Sequence, residues 1–151
     1  MRTFARISVA LALGALLLAG LYMLTSRLTL TVSAERVSAG EKPEEFASLM
    51  QSARESGSGG AIGLSETDGC TFVTVNVQLK NRSPFDAEWI TLSLSTLPDD
   101  ALVVSSYTGP IDITASGSER LYVTYLTRRD DTSCGGRVEY YIYGRYHSTE
   151  F

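Results

Sequence analysis

The sequence predicts an all-β domain carried behind one N-terminal transmembrane helix. An uncharged apolar run extends from Ile7 to Leu24, and alternating apolar and polar residues recur in segment after segment beyond Arg27. Short clusters of Gly, Pro, Asn, Asp and Ser separate these segments. Alternation with a period of two between turn-forming clusters is typical of short antiparallel strands. We therefore expect a single β-sandwich after the membrane helix.

The apolar run has the length of a membrane span, because as a helix it covers roughly 30 Å, the thickness of a bilayer's hydrocarbon core. Arg2 and Arg6 precede it and favour the cytoplasmic side. We predict a cytoplasmic N-terminus at residues 1–6, a signal anchor in the lipid bilayer at residues 7–26, and an extracytoplasmic domain at residues 27–151. The predicted localisation is a cell membrane, crossed once.

Two alternatives remain for the apolar run. One is a cleaved signal peptide, with the small-x-small sequence Val32-Ser33-Ala34 as its cleavage site. Cleavage there would remove the first predicted strand of the domain. The other is a helix buried in the domain core, although such a helix is seldom apolar on every side at the extreme N-terminus. With either an anchor or a cleaved peptide, the remainder of the chain is translocated.

A strand and then a helix are the first elements predicted after the anchor. Apolar and hydroxyl residues alternate over residues 27–37, which indicates a half-buried strand starting close to the membrane. Pro43 to Glu55 is predicted to be helical, since proline suits the first helical position and two glutamates follow it. The apolar residues at helical spacing are Phe46, Leu49, Met50 and Ala53. This face packs on the domain's own sheet or, alternatively, docks a partner.

The glycine-rich segment at residues 57–60 is interpreted as part of a surface loop. It lacks the Gly-Lys-Ser/Thr continuation of a phosphate-binding loop and has no strand immediately before it. We therefore expect no nucleotide ligand.

From Cys70 onward the sequence predicts strand after strand. The predicted strands are one containing Val73 to Leu79, followed by Ala87–Leu97, Leu102–Tyr107, Ile111–Thr114, Arg120–Thr127 and Arg137–His147. Trp89 either faces away from the apolar side of its strand or marks an irregular start. The turn at Asn81-Arg82-Ser83 also matches the N-glycosylation sequon, a short motif that is common by chance.

A spaced motif in residues 71–127 carries a family resemblance. It reads Val75-x-Val77-x-Leu79-x-Asn81-x-Ser83, then an aromatic-led strand, then Ile113-x-Ala115-x-Gly117. This pattern resembles immunoglobulin-like accessory domains of bacterial surface proteins, which are commonly tethered by one N-terminal helix. The resemblance implies an immunoglobulin-like β-sandwich with one short helical insert, acting as a binding or spacing module. It implies no catalytic residue.

Cys70 and Cys134 are the only cysteines, and they belong to no metal-binding or redox spacing. In an oxidising compartment we expect them to form one structural disulfide. If the domain were cytosolic, two buried thiols would be the better interpretation.

The last predicted strand is rich in tyrosine and supplies the predicted ligand site. Tyr141, Tyr143 and Arg145 would share one face of an uninterrupted strand, opposite a face that belongs to the core. Exposed aromatic rings beside a cation are frequent in glycan- and peptide-binding sites. The competing interpretation is ordinary packing of tyrosine against cross-strand neighbours.

The functional expectation is a non-catalytic, membrane-tethered module. All seventeen acidic residues follow Arg27, and such an acidic domain disfavours nucleic acid as a partner. His147, the only histidine, is four residues from the end, without a recognisable nucleophile or metal-ligand pattern. We predict no catalytic residue, no metal and no cofactor. The expected partner is an envelope or cell-surface protein, and the alternative is a glycan or peptide.

Overall fold

The computed structural model describes residues 11–18, 20–21, 27–55, 69–128 and 134–151. Residues 11–18 and 20–21 are helical, and their leucine side chains are exposed. Within the described residues, no helix combines the length and the apolarity needed to cross a membrane. The predicted span at residues 7–26 lies partly outside the described part of the chain.

The described part of the chain after residue 26 folds as two antiparallel sheets. Its strands are β1 (Leu28–Ser38), β2 (Thr71–Asn81), β3 (Ala87–Leu94), β4 (Leu102–Tyr107), β5 (Ile111–Ile113), β6 (Ser118–Thr127), β7 (Gly136–Ile142) and β8 (Arg145–Glu150). The first sheet has the order β1-β2-β6-β4, and the second has the order β5-β3-β7-β8. The predicted all-β sandwich is confirmed at this level.

The main core lies between the two sheets, as the alternation in the sequence predicts. The alternate residues Val73 to Leu79 of β2 are almost fully buried, and so are Tyr125 of β6 and Tyr140 of β7. The hydroxyl of Tyr140 accepts a hydrogen bond from the backbone N–H of Leu28 at 3.2 Å. This bond attaches the start of β1, in the first sheet, to β7 in the second sheet.

A helix covers part of the outer face of the first sheet. Helix α1 (Pro43–Glu55) has the predicted bounds and follows a short 3-10 turn at Ala39–Glu41. Its side chains Phe46 and Met50 are buried against Phe72 of β2 and Leu126 of β6. These sheet residues point away from the main core, because neighbours along a strand alternate between faces. The predicted packing of the helix on its own sheet is confirmed.

One buried side chain, Asn81, holds together the end of the sandwich at which β1 begins. Its amide nitrogen donates to the carbonyls of Phe85 at 2.8 Å and of Ile113 and Thr114 at 3.2 Å. Its amide oxygen accepts from the backbone N–H of Ser83 at 2.9 Å. We call this the Arg27 end. It contains the start of β1, the β2–β3 and β5–β6 connections, and the β7–β8 turn.

The uninterrupted last strand predicted at Arg137–His147 is wrong. The chain reverses at Tyr143 and Gly144, which have φ angles of 51° and 68°, and β7 and β8 pair on either side as a hairpin. Two residues with positive φ form the type of turn that matches the twist of a hairpin. Glycine at the second position makes this turn accessible, although the first position holds a bulky tyrosine.

The predicted disulfide between Cys70 and Cys134 is not formed in the structure. Cys70 packs with α1 on the outer face of the first sheet, whereas Cys134 packs against the core between the sheets. The first sheet therefore separates the two sulfur atoms. Burial raises the pKa of the Cys134 thiol. A protonated thiol is a poor nucleophile, so the environment of Cys134 does not favour reactivity.

Candidate binding face

The outer face of the second sheet carries exposed aromatic side chains. Trp89 of β3 is 68% exposed, Tyr141 of β7 is 42% exposed and Tyr146 of β8 is 54% exposed. The strand register places Glu88, the residue before Trp89, opposite Tyr141, and it places Tyr141 opposite Tyr146. Trp89 therefore belongs to the strand beside the two tyrosines. We call this set the aromatic face. Aromatic side chains concentrated in this way are typical of interaction surfaces.

Trp89 occupies a β-bulge in which its backbone is strained. In the register between β3 and β7, Trp89 and Ile90 together stand opposite the single residue Tyr140. Trp89 has a φ of 53°, a left-handed conformation that is unfavourable for a bulky side chain. Its N–H donates at 2.8 Å to Oδ1 of Asp112 in β5. The bulge lets Ile90 remain in the core while the adjacent indole projects into solvent.

A loop on the far side of β3 supports the bulge. The N–H of Leu92 donates to the carbonyl of Thr108 at 2.8 Å. Gly109, with a φ of 93°, lies so close to the Ile90 carbonyl that a Cβ atom at this position would collide with it. The irregular backbone around Trp89 is therefore held from two directions, and the position of the indole does not depend on its own side-chain contacts.

The two tyrosines of the aromatic face contact each other. The rings of Tyr141 and Tyr146 meet edge to face, with centroids 5.7 Å apart. The hydroxyl of Tyr146 donates to Oε1 of Glu139 at 2.7 Å, and this bond raises the pKa of Tyr146. The ring of Tyr146 therefore has a fixed orientation while one side stays open to solvent. Such preorganisation lowers the entropic cost of binding.

A polar strip continues the same face toward the other end of the sandwich. Arg137 of β7 donates to Glu150 of β8 at 2.7 Å and lies 3.8 Å from Glu139. Its hydrogen bond to Glu150 raises the pKa of Arg137. A depression of about 500 Å³ beside this arginine is also lined by Ser93 and by the terminal Phe151. Charged and hydroxyl groups therefore border the aromatic face on one side.

The structure does not bring together the predicted ligand residues Tyr141, Tyr143 and Arg145. Tyr141 belongs to the aromatic face, but Tyr143 lies in the hairpin turn. Arg145 is the register partner of the buried Ile142 and so projects toward the opposite side of the sheet. The two-residue turn reverses which residues share a face, because Ile142 and Arg145 stand opposite each other. Tyr146 consequently takes the place that the sequence prediction gave to Arg145.

Tyr143 forms a separate aromatic feature at the Arg27 end. Its side chain is 64% exposed, and its ring centroid lies 4.8 Å from that of Phe85 in the β2–β3 connection. Phe85 is half-buried against the main core. The pair therefore joins the tip of the hairpin to the adjacent loop and leaves most of the tyrosine ring in solvent.

Two residues of types that often serve in catalytic or metal sites, His147 and Asp100, make contacts within the fold. The ring of His147 stacks on that of Tyr140 at 5.2 Å, and burial lowers its pKa, as do the nearby cations Arg27 and Arg145. Asp100 accepts hydrogen bonds from the hydroxyl of Thr127 and from the N–H of Arg128, both at 3.0 Å. Among the described residues, no group of three His, Cys, Asp or Glu side chains is arranged to hold a metal ion.

A scan of the chain against protein-family models finds no match, and a search of curated proteins also finds none. Sequence reasoning did not identify Trp89 or Tyr146 as members of the aromatic face. The signal that would have found Tyr146 is Gly144, since a glycine between two short alternating segments marks a hairpin turn and changes the face assignment of every later residue.

Proposed function

We propose that this chain is a non-catalytic, membrane-tethered extracytoplasmic domain that binds a protein partner through its aromatic face. The observation that carries the proposal is the exposure of Trp89, Tyr141 and Tyr146 on one sheet face. Tyrosine and tryptophan supply large contact areas with few rotatable bonds, and they dominate the binding energy of many protein interfaces. A strained backbone at an exposed tryptophan, as at Trp89, is a further feature of functional sites.

The membrane tether is supported by the sequence between Arg6 and Arg27 and by the exposed leucines of the N-terminal helical residues. Leu11, Leu17 and Leu21 are between 60% and 74% exposed within the isolated chain. So many exposed leucines in an uncharged segment require an apolar environment outside the domain. We propose that this environment is the bilayer and that residues 27–151 lie on its extracytoplasmic side.

The strand order supports the immunoglobulin-like part of the proposal. Constant-type immunoglobulin domains have strands A, B, E and D in one sheet and C, F and G in the other. The first sheet here, β1-β2-β6-β4, follows the A-B-E-D order. The second sheet, β5-β3-β7-β8, follows the C-F-G order with the short β5 added beside the strand that corresponds to C.

The distance of the aromatic face from the Arg27 end bears on the kind of partner that we propose. Trp89 is two residues beyond Ala87, at the start of β3, so it stands about 7 Å from the Arg27 end at the usual rise per strand residue. Arg27 follows the apolar run by three residues, which span at most about 11 Å. In the proposed tethered chain the aromatic face would lie close to the membrane surface, which supports a partner that is itself a membrane-embedded or membrane-tethered protein.

Site-specific photo-crosslinking in cells tests this proposal. A photoreactive phenylalanine derivative placed at Tyr141 or at Tyr146 of the full chain is expected to give one discrete adduct of the same mass. The matched control is the same derivative at Gln78, an exposed residue of β2 in the first sheet, three residues from the Arg27 end. It stands at a similar height above the proposed membrane surface but on the other sheet.

The three labelled positions distinguish a partner bound to the aromatic face from proteins that are only near the membrane. We expect the adduct from positions 141 and 146, no adduct from position 78, and loss of the adduct when Trp89→Ala is added. Equal adducts from all three positions, or none from positions 141 and 146, would contradict the proposal. Circular dichroism of each purified variant distinguishes loss of binding from loss of the fold.

A second candidate function is glycan or peptide binding on the same face. The polar strip of Arg137, Glu139 and Glu150 beside the aromatic rings favours it, because sugars combine apolar ring faces with hydroxyl groups. Addition of envelope polysaccharide fragments to the full chain would shift the emission of Trp89, the single tryptophan. An unchanged emission spectrum at saturating fragment concentrations, together with a discrete protein adduct, would exclude this alternative in favour of the protein partner.

A further inference from the structure

We infer that the outer edge of β4, with the groove between β4 and α1, is a docking site for an extended, uncharged segment of a partner protein. The segment adds to the first sheet as a further strand. The site belongs to the other sheet than the aromatic face and is therefore a second interaction surface. The choice of another protein over a second copy of this chain rests on the proposed membrane tether.

A groove of about 610 Å³ separates α1 from the start of β4. Its helix wall includes Ser48, Leu49 and Ser52, and its strand wall consists of Leu102, Val103 and Val104. The helix buries Phe72 of β2 and Leu126 of β6, whereas Leu102 and Val104 are only partly buried beside them. The helix therefore covers the middle of the first sheet and leaves its β4 edge open.

The groove is largely apolar and nearly without charge. Within the described part of the chain, Glu45 is the one charged residue in its lining, and Glu45 forms a salt bridge with Lys42 at 3.0 Å. A charged side chain that entered the groove would lose water without gaining a partner. The groove therefore fits a segment whose inserted side chains are apolar or carry hydroxyl groups.

The edge of β4 also lacks the charges that usually prevent strand addition. Among the described residues no strand pairs with the outer edge of β4, and the chain carries no charge from Ala101 to Ile111. The other three edge strands all carry charged residues: Glu35 and Arg36 in β1, Asp112 in β5, and Arg145 and Glu150 in β8. Charged side chains on an edge strand block pairing with another chain. Of these edges, β4 is thus the one open to a further strand.

A bulge in β4 directs its apolar side chains toward the groove. Val104 has no register partner in β6, whereas Val103 stands opposite the fully buried Tyr125. Val103 is nevertheless 47% exposed, and it lines the groove together with both of its neighbours. Neighbours in a regular strand alternate between faces, and a bulge re-aims them. The bulge therefore concentrates three apolar residues at one end of the edge.

An edge strand beside a helix provides both parts of strand recognition. The outward N–H and C=O groups of the edge bond to the backbone of the added segment, and a pocket beside the edge receives its alternate side chains. Backbone bonds supply affinity for any extended segment, and the pocket supplies selectivity. Here the groove along Leu49 and Leu102 is that pocket, so it selects apolar side chains at alternate positions.

A second copy of this chain fits the site less well. Two identical strands that pair edge to edge are related by a two-fold axis and run antiparallel. Because β4 runs along the sandwich, two copies joined in this way would carry their Arg27 ends in opposite directions. The proposed tether holds both of these ends at one membrane. A segment of another protein has no such restriction.

The site is distant from the proposed membrane surface. Leu126, the register partner of Leu102, is eight residues beyond Ser118, where β6 begins at the Arg27 end. At the usual rise per strand residue this distance is roughly 26 Å. The partner segment therefore reaches the groove without contacting the bilayer.

Selection from a phage-displayed library of random peptides, with the full chain in lipid nanodiscs as the target, tests the site. We expect enriched peptides that are uncharged and have apolar residues at every second position. N-methylation of the backbone of the best peptide should weaken its binding at least about tenfold, because a methylated nitrogen cannot donate to the β4 edge. Failure to enrich such peptides, or equal binding after N-methylation, would contradict strand addition.

Two matched pairs of variants locate the binding. Val103→Lys places a charge at the groove, and its control Val32→Lys places the same charge on an exposed valine of β1, the other edge of the sheet. Ser52→Trp fills the groove from α1, and its control Ala47→Trp adds the same ring at an exposed helix position outside the lining. We expect the groove variants to bind peptide at least about tenfold more weakly and the controls to bind as the wild type does. Equal binding by all four, with the fold verified by circular dichroism, would refute the site.

The natural occupant is tested with a photoreactive phenylalanine derivative at Val103 of the full chain in cells. We expect a discrete adduct whose mass differs from that of two chains and which disappears when Ser52→Trp is added. An adduct with the mass of two chains would overturn the inference in favour of a second copy. A crosslink within one chain would assign the groove to another segment of the same chain, and the absence of any adduct would overturn the inference as well.

Failure of this inference is distinguishable from failure of the proposed function. Trp89→Ala is expected to abolish the adducts from positions 141 and 146 and to leave peptide binding at β4 unchanged. If those adducts are absent while peptides still bind at β4, the proposed function fails and the β4 site stands. If the adducts form but Val103→Lys binds the peptides as the wild type does, the β4 site fails and the proposed function stands.

Discussion

The two sheets of this domain use their outer faces differently. On the first sheet, α1 places Phe46 and Met50 on Phe72 and Leu126, and all four side chains are buried. On the second sheet, no helix in the described part of the chain covers Trp89, Tyr141 or Tyr146. Both faces are rich in large apolar groups, but only the first gains stability by removing them from water. The difference indicates that the first face serves folding and the second serves contact with other molecules.

The largest expected effect comes from the covered face. Phe46→Ala removes a buried aromatic ring from between α1 and the first sheet, and we expect a loss of about 3–5 kcal/mol in the free energy of unfolding. The matched substitution on the aromatic face, Tyr146→Ala, should cost only about 1 kcal/mol, mainly because the ring contact with Tyr141 is lost. Urea denaturation of both variants measures the difference. Equal losses in the free energy of unfolding would contradict the proposed difference between the two faces.

Two buried tyrosines, one in each sheet, differ in the hydrogen bonding of their hydroxyl groups. Tyr140→Phe removes the acceptor for the Leu28 N–H, and we expect a loss of about 1–3 kcal/mol because a buried donor is left unpaired. The Tyr125 hydroxyl has no partner with hydrogen-bond geometry within the described residues, and the polar group that faces it is the Cys134 thiol, a weak hydrogen-bonding group. Tyr125→Phe should therefore leave stability nearly unchanged. Denaturation midpoints test both, and a larger loss for Tyr125→Phe would contradict this assignment of the two hydroxyls.

Relief of backbone strain on the aromatic face should increase the stability of the fold. Trp89→Gly removes a bulky side chain from a left-handed backbone conformation, and we expect about 1 kcal/mol of added stability. The neighbouring Glu88→Gly is the control. It lies in the regular part of β3, where glycine should cost about 0.5–1 kcal/mol. A stabilised Trp89→Gly protein that loses its photo-crosslink would link the strain to binding. A destabilised one would assign Trp89 a structural role.

The smallest expected effect is a pH dependence at the edge where β1 meets β8. The pKa of His147 is lowered in the folded protein, by burial first and then by Arg27 and Arg145. The unfolded chain, whose histidine pKa is about 6.5, therefore binds this proton more readily. Stability should fall as the pH is lowered through about 6.5 and the loss should stop below the folded pKa. In His147→Gln this part of the pH dependence should disappear from denaturation midpoints, and an unchanged profile would exclude it.

Much of the fold could be predicted because simple periodicities determine it. The alternation at Val73 to Leu79 directly reflects burial of one face of β2, and the helical spacing from Phe46 to Ala53 reflects the contact of α1 with the first sheet. Pro43 and the glutamates after it also locate the start of this helix. These signals are local, and the tertiary structure agrees with them.

The site was predicted only in part because its geometry depends on backbone irregularities. The turn at Tyr143 and Gly144 moves Tyr146 onto the face of Tyr141 and removes Arg145 from it. The bulge at Trp89 shifts the register by one residue. A tyrosine and a tryptophan with positive φ contradict local preference, so composition gives no indication of either. The disulfide was predicted from the compartment alone, without knowledge that the first sheet separates the cysteines.

The burial of Asn81 has a consequence for the choice of expression host. Asn81-Arg82-Ser83 is a glycosylation sequon, and eukaryotic secretory pathways modify such asparagines on nascent chains. An attached sugar would replace one of the two amide hydrogens through which Asn81 holds Phe85, Ile113 and Thr114, and it would have no space in the fully buried site. A chain secreted from yeast or mammalian cells would thus divide into an unmodified folding fraction and a glycosylated fraction that cannot close the Arg27 end.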